Sequence, residues 1–278
     1  MRKLTLSILA YLSVFFLFDS SHAQLNQGKP AILDEIGVDE NLGDTIPLDL
    51  RFVNSQGDSV RIGDLIEKGK PVLLNPLYYE CPVLCSVVLD GVFEVADELK
   101  WTPGTDYTII SFSIDPGETP AIAAESKQQY LSDLNRPGAE QGWHFLTGSQ
   151  ESIDKLTEAI GFRYKYDEDK DQYIHMASIM LLSPEGEIVR YLYGATFSEF
   201  DLRNALYEAA DGTIGSTVDQ VVLYCFTYDP DSKSYVPVAL NIMKLGGLAT
   251  VIILGIFLGV FWKRERNSSK PPKIEINR

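Results

Sequence analysis

Two cysteines, Cys81 and Cys85, lie four positions apart in a segment that follows an apolar run and opens a helix-like run. Pro82 suits the first position of a helix, where its missing N–H group would have no intrahelical partner in any case. Cys81 would then lie at the positive end of the helix dipole, which lowers the pKa of a thiol. Because residues four apart share a helix face, the two thiolates can bind one soft metal ion or oxidise to one disulfide.

Beyond residue 23 the chain carries two histidines, His144 and His175. His175 lies in a strand-like run after an acidic turn. If that strand passes beside the start of the helix, Cys81, Cys85 and His175 offer two thiolates and one imidazole. This ligand set suits Cu(I) and tolerates Cu(II), whereas zinc normally takes a fourth ligand. A histidine that packs within the fold is the alternative for His175.

Three nearby residues are predicted to be structural. His144 follows Trp143 in an apolar stretch. Met176 and Met180 follow His175. For both methionines, packing in the core is favoured over a role as soft auxiliary metal ligands.

The N-terminus has the pattern of a secretory signal peptide. Residues 1–23 combine a basic start, a short apolar stretch and the small-residue pattern Ser21-His22-Ala23. This pattern predicts export of the chain and cleavage after Ala23.

The C-terminus has the pattern of a membrane anchor. Leu245 to Trp262 is a run of 18 uncharged residues, about 27 Å long as a helix, and it predicts a transmembrane helix over residues 244–262. Basic residues follow from Lys263 onward and favour the cytoplasmic side. The two ends together predict a body on the exported side of a bacterial cytoplasmic membrane, with the C-terminus in the cytoplasm.

The region between the two ends is acidic. Residues 24–262 contain 16 Lys and Arg against 36 Asp and Glu, a net charge of −20. This charge argues against nucleic-acid binding, which requires basic surfaces. The three cysteines all lie in the exported part, and an odd number does not form a structural disulfide framework.

Cys225, the third cysteine, lies between two aromatic residues. A half-buried apolar thiol is one interpretation. A minor copper role, or pairing between two protomers, is the other, because no fourth exported cysteine is available to pair with it.

The hydrophobic pattern predicts an α/β domain. A hairpin is expected first, then alternating strands and helices, then antiparallel strands and a closing helix, in the order of a thioredoxin-like sandwich. The predicted strands span 47–52, 59–62, 71–77, 107–114, 143–147, 162–166, 173–182 and 187–193, and the predicted helices span 83–99, 119–134, 149–160 and 201–210.

The chain resembles the Sco/SenC family over roughly residues 40–262. The resemblance lies in a combination of motifs: Tyr79-Glu80-Cys81-Pro82-Val83-Leu84-Cys85, Ser113-Ile114-Asp115-Pro116 with Thr119-Pro120, Gly142-Trp143-His144-Phe145-Leu146-Thr147-Gly148, and the distal His175. The segments Tyr224-Cys225-Phe226 and Tyr228-Asp229-Pro230 are similar to those of a branch with a C-terminal membrane helix.

The resemblance implies a copper site made by Cys81, Cys85 and His175. It implies a membrane-tethered copper chaperone that delivers copper to the CuA-type site of a cytochrome c oxidase subunit by ligand exchange. Another copper carrier or a thiol reductant is a further expected partner. The expected organisation is a leader segment (24–44), a thioredoxin-like copper-binding domain (45–211), a tether (212–243), the membrane helix (244–262) and a cytoplasmic tail (263–278).

Two features depart from the family pattern. Many members carry Asp directly before the histidine, where this chain has Ile174, so a local acidic partner that would orient the imidazole is missing. The loop between the Asp-Pro and Thr-Pro pairs holds Gly117-Glu118, one residue fewer than the commonest form. Both departures bear on Cu(II) affinity and partner choice.

The alternative function is a thiol-disulfide oxidoreductase. Cys81 and Cys85 would then be a redox-active pair that reduces oxidase-subunit cysteines or other exported cysteines. Thioredoxins place a proline opposite the active cysteines, and residues 172–180 contain none. This favours a metallochaperone over an enzyme, although the two activities are compatible in the family.

Overall fold

A computed structural model describes residues 35–80, 84–134, 136–211, 226–229 and 234–268. The predicted signal peptide, Cys81, Pro82 and Cys225 lie outside these ranges. Cys85 is described by its backbone alone.

The described residues alternate between strands and helices in the predicted order. The strands are β1 (Gly37–Val38), β2 (Arg51–Asn54), β3 (Ser59–Arg61), β4 (Val72–Leu77), β5 (Thr108–Ser113), β6 (Trp143–Thr147), β7 (Phe162–Asp167), β8 (Gln172–His175), β9 (Ser178–Leu182), β10 (Ile188–Tyr193), β11 (Phe226–Asp229) and β12 (Ser234–Pro237). The helices are α1 (Ile62–Leu65), α2 (Leu84–Glu98), α3 (Pro120–Leu134), α4 (Ala139–Gly142), α5 (Gln150–Ala159), α6 (Glu199–Ala209) and α7 (Ala239–Ser268).

The central sheet has seven strands in the spatial order β10-β9-β4-β5-β6-β2-β3. Strands β4, β5 and β6 are parallel neighbours, and β9 runs antiparallel to β4. Every residue of β4 and β5 is buried, as continuous apolar runs predict for strands covered on both faces. The predicted thioredoxin-like α/β arrangement is thereby confirmed.

Helix α2, which begins at Leu84 and includes Cys85, is fixed by its apolar stripe. Val88, Val92 and Val95 are each at most 1% exposed, and burying a valine contributes about 1.5 kcal/mol. The neighbouring helix α3 adds a polar contact, since the Tyr130 hydroxyl donates a hydrogen bond of 2.7 Å to Asp90 on α2. Helix α2 is therefore held by packing from Val88 to Val95.

The prediction of one strand from 173 to 182 is wrong, because two strands occupy this segment and belong to different sheets. The β4–β9 register runs from Val72 opposite Leu182 to Leu74 opposite Met180 and ends there. Pro76 follows in β4 and has no N–H group to continue the ladder. The chain bends at residues 176–177, and β8 pairs with β7 instead.

The small sheet has the order β1-β7-β8. Strand β1 lies within the predicted leader segment and pairs Gly37 with Arg163 of β7. The side-chain amide of Asn41 donates a hydrogen bond of 3.0 Å to the carbonyl of Ala159. Residues 37–41 thus pack against the folded body.

The hairpin formed by β11 and β12 contacts α6. The ring of Phe226 lies 5.1 Å from that of Phe200. Tyr235 is buried, and its hydroxyl donates a hydrogen bond of 2.6 Å to Glu208. Its backbone N–H donates to Asp201 at 3.1 Å.

Helix α7 contains the predicted membrane span. Its apolar part, Ala239–Lys263, has 25 residues, and its 18-residue apolar window has a mean hydropathy of 2.3 and is not buried. At 1.5 Å per residue it is about 37 Å long, sufficient for a hydrocarbon layer of about 30 Å. The described residues therefore include one helix able to cross a membrane.

Candidate metal centre

The cysteine motif follows the end of β4 and extends into the first turn of α2. Strand β4 ends at Leu77, and residues 78–80 lead into the motif. Cys85 is the second residue of α2. This position places Cys85 in the first helical turn, where the helix dipole favours negative charge.

Tyr78 and Tyr79 anchor the chain on entry to the motif. The Tyr79 hydroxyl lies 3.0 Å from the carbonyl oxygens of both Ser111 on β5 and Leu146 on β6, and its ring stacks on Phe145 at 5.9 Å. Tyr78 is buried and contacts the strand that carries His175. The two tyrosines therefore fix the chain through different neighbours.

Glu118 contacts the next residue of the same segment. One of its carboxylate oxygens, Oε1, accepts a hydrogen bond of 2.7 Å from the backbone N–H of Glu80. Glu118 is 6% exposed, and burial is the main cause that raises the pKa of its carboxyl group. Hydrogen bonding from Ser113 and from the Tyr79 and Glu80 backbone opposes that shift.

His175 is the last residue of β8 and is 5% exposed. Its Nδ1 atom lies 2.9 Å from the carbonyl oxygen of Met176. Because a carbonyl only accepts, Nδ1 carries the proton in the neutral ring, and the lone pair is on Nε2. The backbone thus supplies the orienting partner that Ile174 does not.

Two aromatic side chains lie beside the imidazole ring of His175. The centroid of the imidazole lies 6.2 Å from the ring centroid of Tyr78 and 5.6 Å from that of Phe162. Burial lowers the pKa of the imidazole, with the Met176 carbonyl acting in the opposite sense. His175 is therefore neutral at pH 7, which is the form that binds a metal ion.

The loop after β5 connects the two halves of the candidate site. Asp115 Oδ1 accepts a hydrogen bond of 2.7 Å from the Gly117 N–H and lies 3.5 Å from the hydroxyl of Tyr173 on β8. Three residues later, Glu118 holds the Glu80 N–H. The same loop thus contacts both the strand of His175 and the segment before Cys81.

Of the three predicted ligands, the structure gives the surroundings of one. The His175 ring lies beside Tyr78, three residues before Cys81, whereas Cys81 and the Cys85 side chain lie outside the described part. No group of three His, Cys, Asp or Glu side chains able to hold a metal converges among the described residues. The three-ligand set stays a prediction.

The three residues predicted to be structural differ in their environments. His144 is half-buried on β6, and burial lowers its pKa to about 4, with a smaller contribution from Lys127. Met180 is fully buried, which confirms the core prediction. Met176 is 36% exposed, so the prediction that it packs in the core is wrong. It lies in the bend between β8 and β9, outside both sheets.

Sequence reasoning did not single out Tyr78 or Glu118 as site residues. The sequence order could have indicated both residues. Strands β4 and β5 are parallel, and the residues that follow their carboxyl ends meet at one edge of the sheet. Tyr78 follows β4, and Glu118 lies in the loop after β5. Their contacts depend on the paths of these loops, which have no periodic pattern.

A sequence model of the SCO1/SenC family matches residues 39–210. The SCO1 protein homolog of Bacillus subtilis (strain 168) is 29% identical over 152 residues, covering 54% of this chain and 75% of that protein.

Two solved structures are similar. A crystal structure of an Aquifex aeolicus VF5 protein, provisionally assigned to electron transfer, is 31% identical with a TM-score of 0.54, covering 60% of this chain and 94% of that one. The Arabidopsis thaliana ScoI structure with copper bound is 23% identical with a TM-score of 0.45, covering 62% and 97%. The family match extends from the N-terminal segment through β10 and α6, and includes the cysteine motif, Glu118 and His175. The chain therefore belongs to the SCO1/SenC family.

Proposed function

We propose that this protein is a membrane-anchored copper chaperone of cytochrome c oxidase assembly. It holds one copper ion, its cargo, between Cys81, Cys85 and His175 and passes the ion to a CuA-type site by ligand exchange. The observation that carries the proposal is the environment of His175, which is buried and neutral, with Nδ1 held by the Met176 carbonyl and the ring beside Tyr78. Such an imidazole is oriented before any metal arrives.

The chemistry of the donor set supports copper. Two thiolates and one imidazole are soft and intermediate ligands that suit Cu(I) and accept Cu(II). The thiols must be reduced to bind Cu(I), so loading depends on the redox state of the cysteines. Three ligands leave room for an incoming ligand from an acceptor, which suits transfer better than storage.

The expected partners follow from the family and from the two ends of the chain. The Sco family is a family of cytochrome c oxidase assembly proteins. We place the folded body on the exported side of a bacterial cytoplasmic membrane, anchored by α7, with the basic C-terminus in the cytoplasm. The oxidase subunit that bears the CuA site is the acceptor, and another copper carrier or a thiol reductant prepares the site.

The proposed domain organisation keeps the expected boundaries: signal peptide 1–23, leader 24–44, copper-binding domain 45–211, tether 212–243, membrane helix 244–262 and tail 263–278. The contacts of β1 with β7 and of β12 with α6 support packing of parts of the leader and the tether against the copper-binding domain. N-terminal sequencing of the exported protein would test cleavage after Ala23.

Thiol-disulfide exchange is the second candidate function. The position of Cys85 in the first turn of α2 favours it, because a helix N-terminus stabilises a thiolate. In this reaction Cys81 and Cys85 lose two electrons and two protons and form a disulfide, while a target disulfide becomes two thiols. A thiol reductant then restores the pair.

Copper titration of the full chain in detergent tests the proposal. We expect the reduced protein to hold one Cu(I) per chain, Cys81→Ser and Cys85→Ser to abolish tight binding, and His175→Ala to weaken it. Retention of copper by all three variants would refute the three-ligand site. Absence of tight copper binding together with a readily cycling Cys81–Cys85 disulfide would assign the protein to the oxidoreductase class.

A further inference from the structure

We propose that Glu118 is a positioning residue for the cysteine motif: its carboxylate fixes the backbone at Glu80 and thereby sets where Cys81 is presented. The inference deepens the proposed function and rests on it for the identity of the ligand. Its geometric basis is independent of the metal, because the contact is between a side chain and the backbone.

The contact has the geometry of a strong hydrogen bond. The distance from Glu80 N to Glu118 Oε1 is 2.7 Å, within the range of charge-assisted bonds from N–H to carboxylate. Glu80 is the last described residue before Cys81. A bond at this backbone atom therefore restricts the dihedral angles that direct the chain into the motif.

The two preceding residues are already fixed by other contacts. Tyr78 packs against His175 and Tyr173, and Tyr79 lies against the carbonyls of β5 and β6. Without Glu118, the anchoring would end one residue earlier. Glu118 extends it to the residue next to the first cysteine.

A buried carboxylate is a costly way to satisfy backbone N–H groups, since burial penalises its charged form and the hydrogen bonds from Ser113, Tyr79 and Glu80 offset that penalty only in part. Its second oxygen, Oε2, is also buried and has no hydrogen-bond partner among the described residues. Packing alone would be better served by an apolar side chain. The carboxylate instead meets the backbone N–H of Glu80, directly before Cys81.

The loop that carries Glu118 also reaches the histidine strand. Asp115 lies 3.5 Å from the Tyr173 hydroxyl, and the ring of Tyr173 packs on Tyr78 at 5.6 Å. The loop after β5 therefore sets the cysteine segment relative to β8. A change at Glu118 should alter the site without changing any proposed ligand.

The test compares Glu118→Ala, Glu118→Gln and Glu118→Asp with the wild-type full chain in detergent. Gln keeps an acceptor at the same reach, whereas Asp withdraws it by one methylene group and Ala removes it. Glu208→Ala is the matched control, because Glu208 on α6 is a partly buried carboxylate that binds Arg190 on β10 and Tyr235 on β12, elements that do not carry the cysteine motif. The three measurements are Cu(I) affinity by chelator competition, the midpoint potential of the Cys81–Cys85 couple in glutathione buffers, and the urea midpoint.

We expect Glu118→Ala to weaken Cu(I) binding about tenfold or more, and to change the equilibrium constant of the dithiol–disulfide couple by about tenfold, which corresponds to about 30 mV. Glu118→Gln should stay within about threefold of wild type in both, and Glu118→Asp should fall between. Glu208→Ala should lower the urea midpoint and leave affinity and potential unchanged.

Wild-type affinity and potential in folded Glu118→Ala would overturn the inference, as would equal losses in Glu208→Ala. If Glu118→Ala does not fold, Glu118→Asp serves as the test variant. Wild-type Cu(I) affinity and wild-type midpoint potential in Glu118→Asp would then refute the positioning role. A wild-type protein without copper affinity would refute the proposed function, whereas the potential measurement would still decide the role of Glu118.

Discussion

The ring of His175 stands edge-on to the ring of Tyr78, with centroids 6.2 Å apart and planes at 73°. Tyr78 directly follows β4, and His175 is the last residue of β8, so the contact joins the central sheet to the small sheet. Aromatic pairs in this arrangement contribute about 0.5–1.5 kcal/mol beyond the area they bury. The contact therefore holds the histidine strand against the segment that enters the cysteine motif.

Replacing His175 should weaken copper binding, whereas replacing His144 should not. We expect His175→Ala to lower Cu(I) affinity at least tenfold, because one of three ligands is lost. His144→Ala is the matched control, since it removes a half-buried imidazole from β6 and should change affinity less than twofold. Chelator competition with both variants measures the difference. Equal losses would assign the effect to stability and would contradict the ligand role of His175.

Acid should destabilise the protein partly through His144. Its folded pKa is about 4, below the value of about 6.5 in an unfolded chain, so the unfolded state takes up the proton first as the pH falls. The stabilisation is complete above pH 6.5 and is lost between pH 6.5 and 4. Because the imidazole keeps some access to water, we expect a loss of about 2 kcal/mol over this range.

His144→Gln isolates that contribution, because glutamine does not titrate and His175 is present in both proteins. Urea unfolding at pH 7.5 and 4.5 should show a smaller decrease in the free energy of unfolding for the variant. An identical decrease in both proteins would show that the imidazole gains its proton equally well in the folded state.

The role of Cys225 can be separated from that of the motif cysteines. If Cys225 is an auxiliary copper ligand or pairs between protomers, Cys225→Ser should lower Cu(I) affinity by less than tenfold or change the oligomeric state. Cys81→Ser is the comparison and should abolish tight binding. Copper titration and analytical ultracentrifugation measure the two effects. Unchanged stoichiometry, affinity and oligomeric state would identify Cys225 as a packing thiol.

Removing the Tyr235 hydroxyl should loosen the β11–β12 hairpin. The hydroxyl donates to Glu208, which also binds Arg190, so Tyr235→Phe should cost about 1 kcal/mol and accelerate amide exchange in the hairpin roughly fivefold. Tyr166→Phe is the control, because its hydroxyl contacts Asp171 on an exposed turn. It should leave hairpin exchange unchanged. Equal protection in Tyr235→Phe and wild type would show that the docking depends on the aromatic contacts instead.

The strands and helices that carry the site could be predicted because their burial is periodic. Strand β4 is apolar except for Asn75, and α2 repeats valines at helical spacing, so both elements were predicted to within one or two residues. The break before β9 was missed, because its cause, Pro76, lies about a hundred residues earlier in the chain. The local hydrophobic pattern of residues 173–182 does not show where their pairing with β4 ends.

The individual contacts of the site were less accessible to prediction. Ile174 indicated that an acidic partner for His175 was missing, but a backbone carbonyl has no sequence signature, so the Met176 contact could not be predicted. The same holds for Glu118, whose acceptor role depends on two loops meeting at one edge of the sheet. Residue types predicted a candidate ligand set, which stays a prediction, while the groups that orient His175 became visible only in three dimensions.

If α7 spans a membrane as proposed, the docked hairpin also limits how far the folded body can lie from the lipid. Strand β12 ends at Pro237, and α7 begins at Ala239, so about 7 Å of chain at most separates the two. A long flexible linker would dilute the body through a large volume, whereas a connection this short confines it to a thin layer above the headgroups. Within such a layer the effective concentration toward other membrane-held proteins is high, and an acceptor is favoured when its own site lies at the same height.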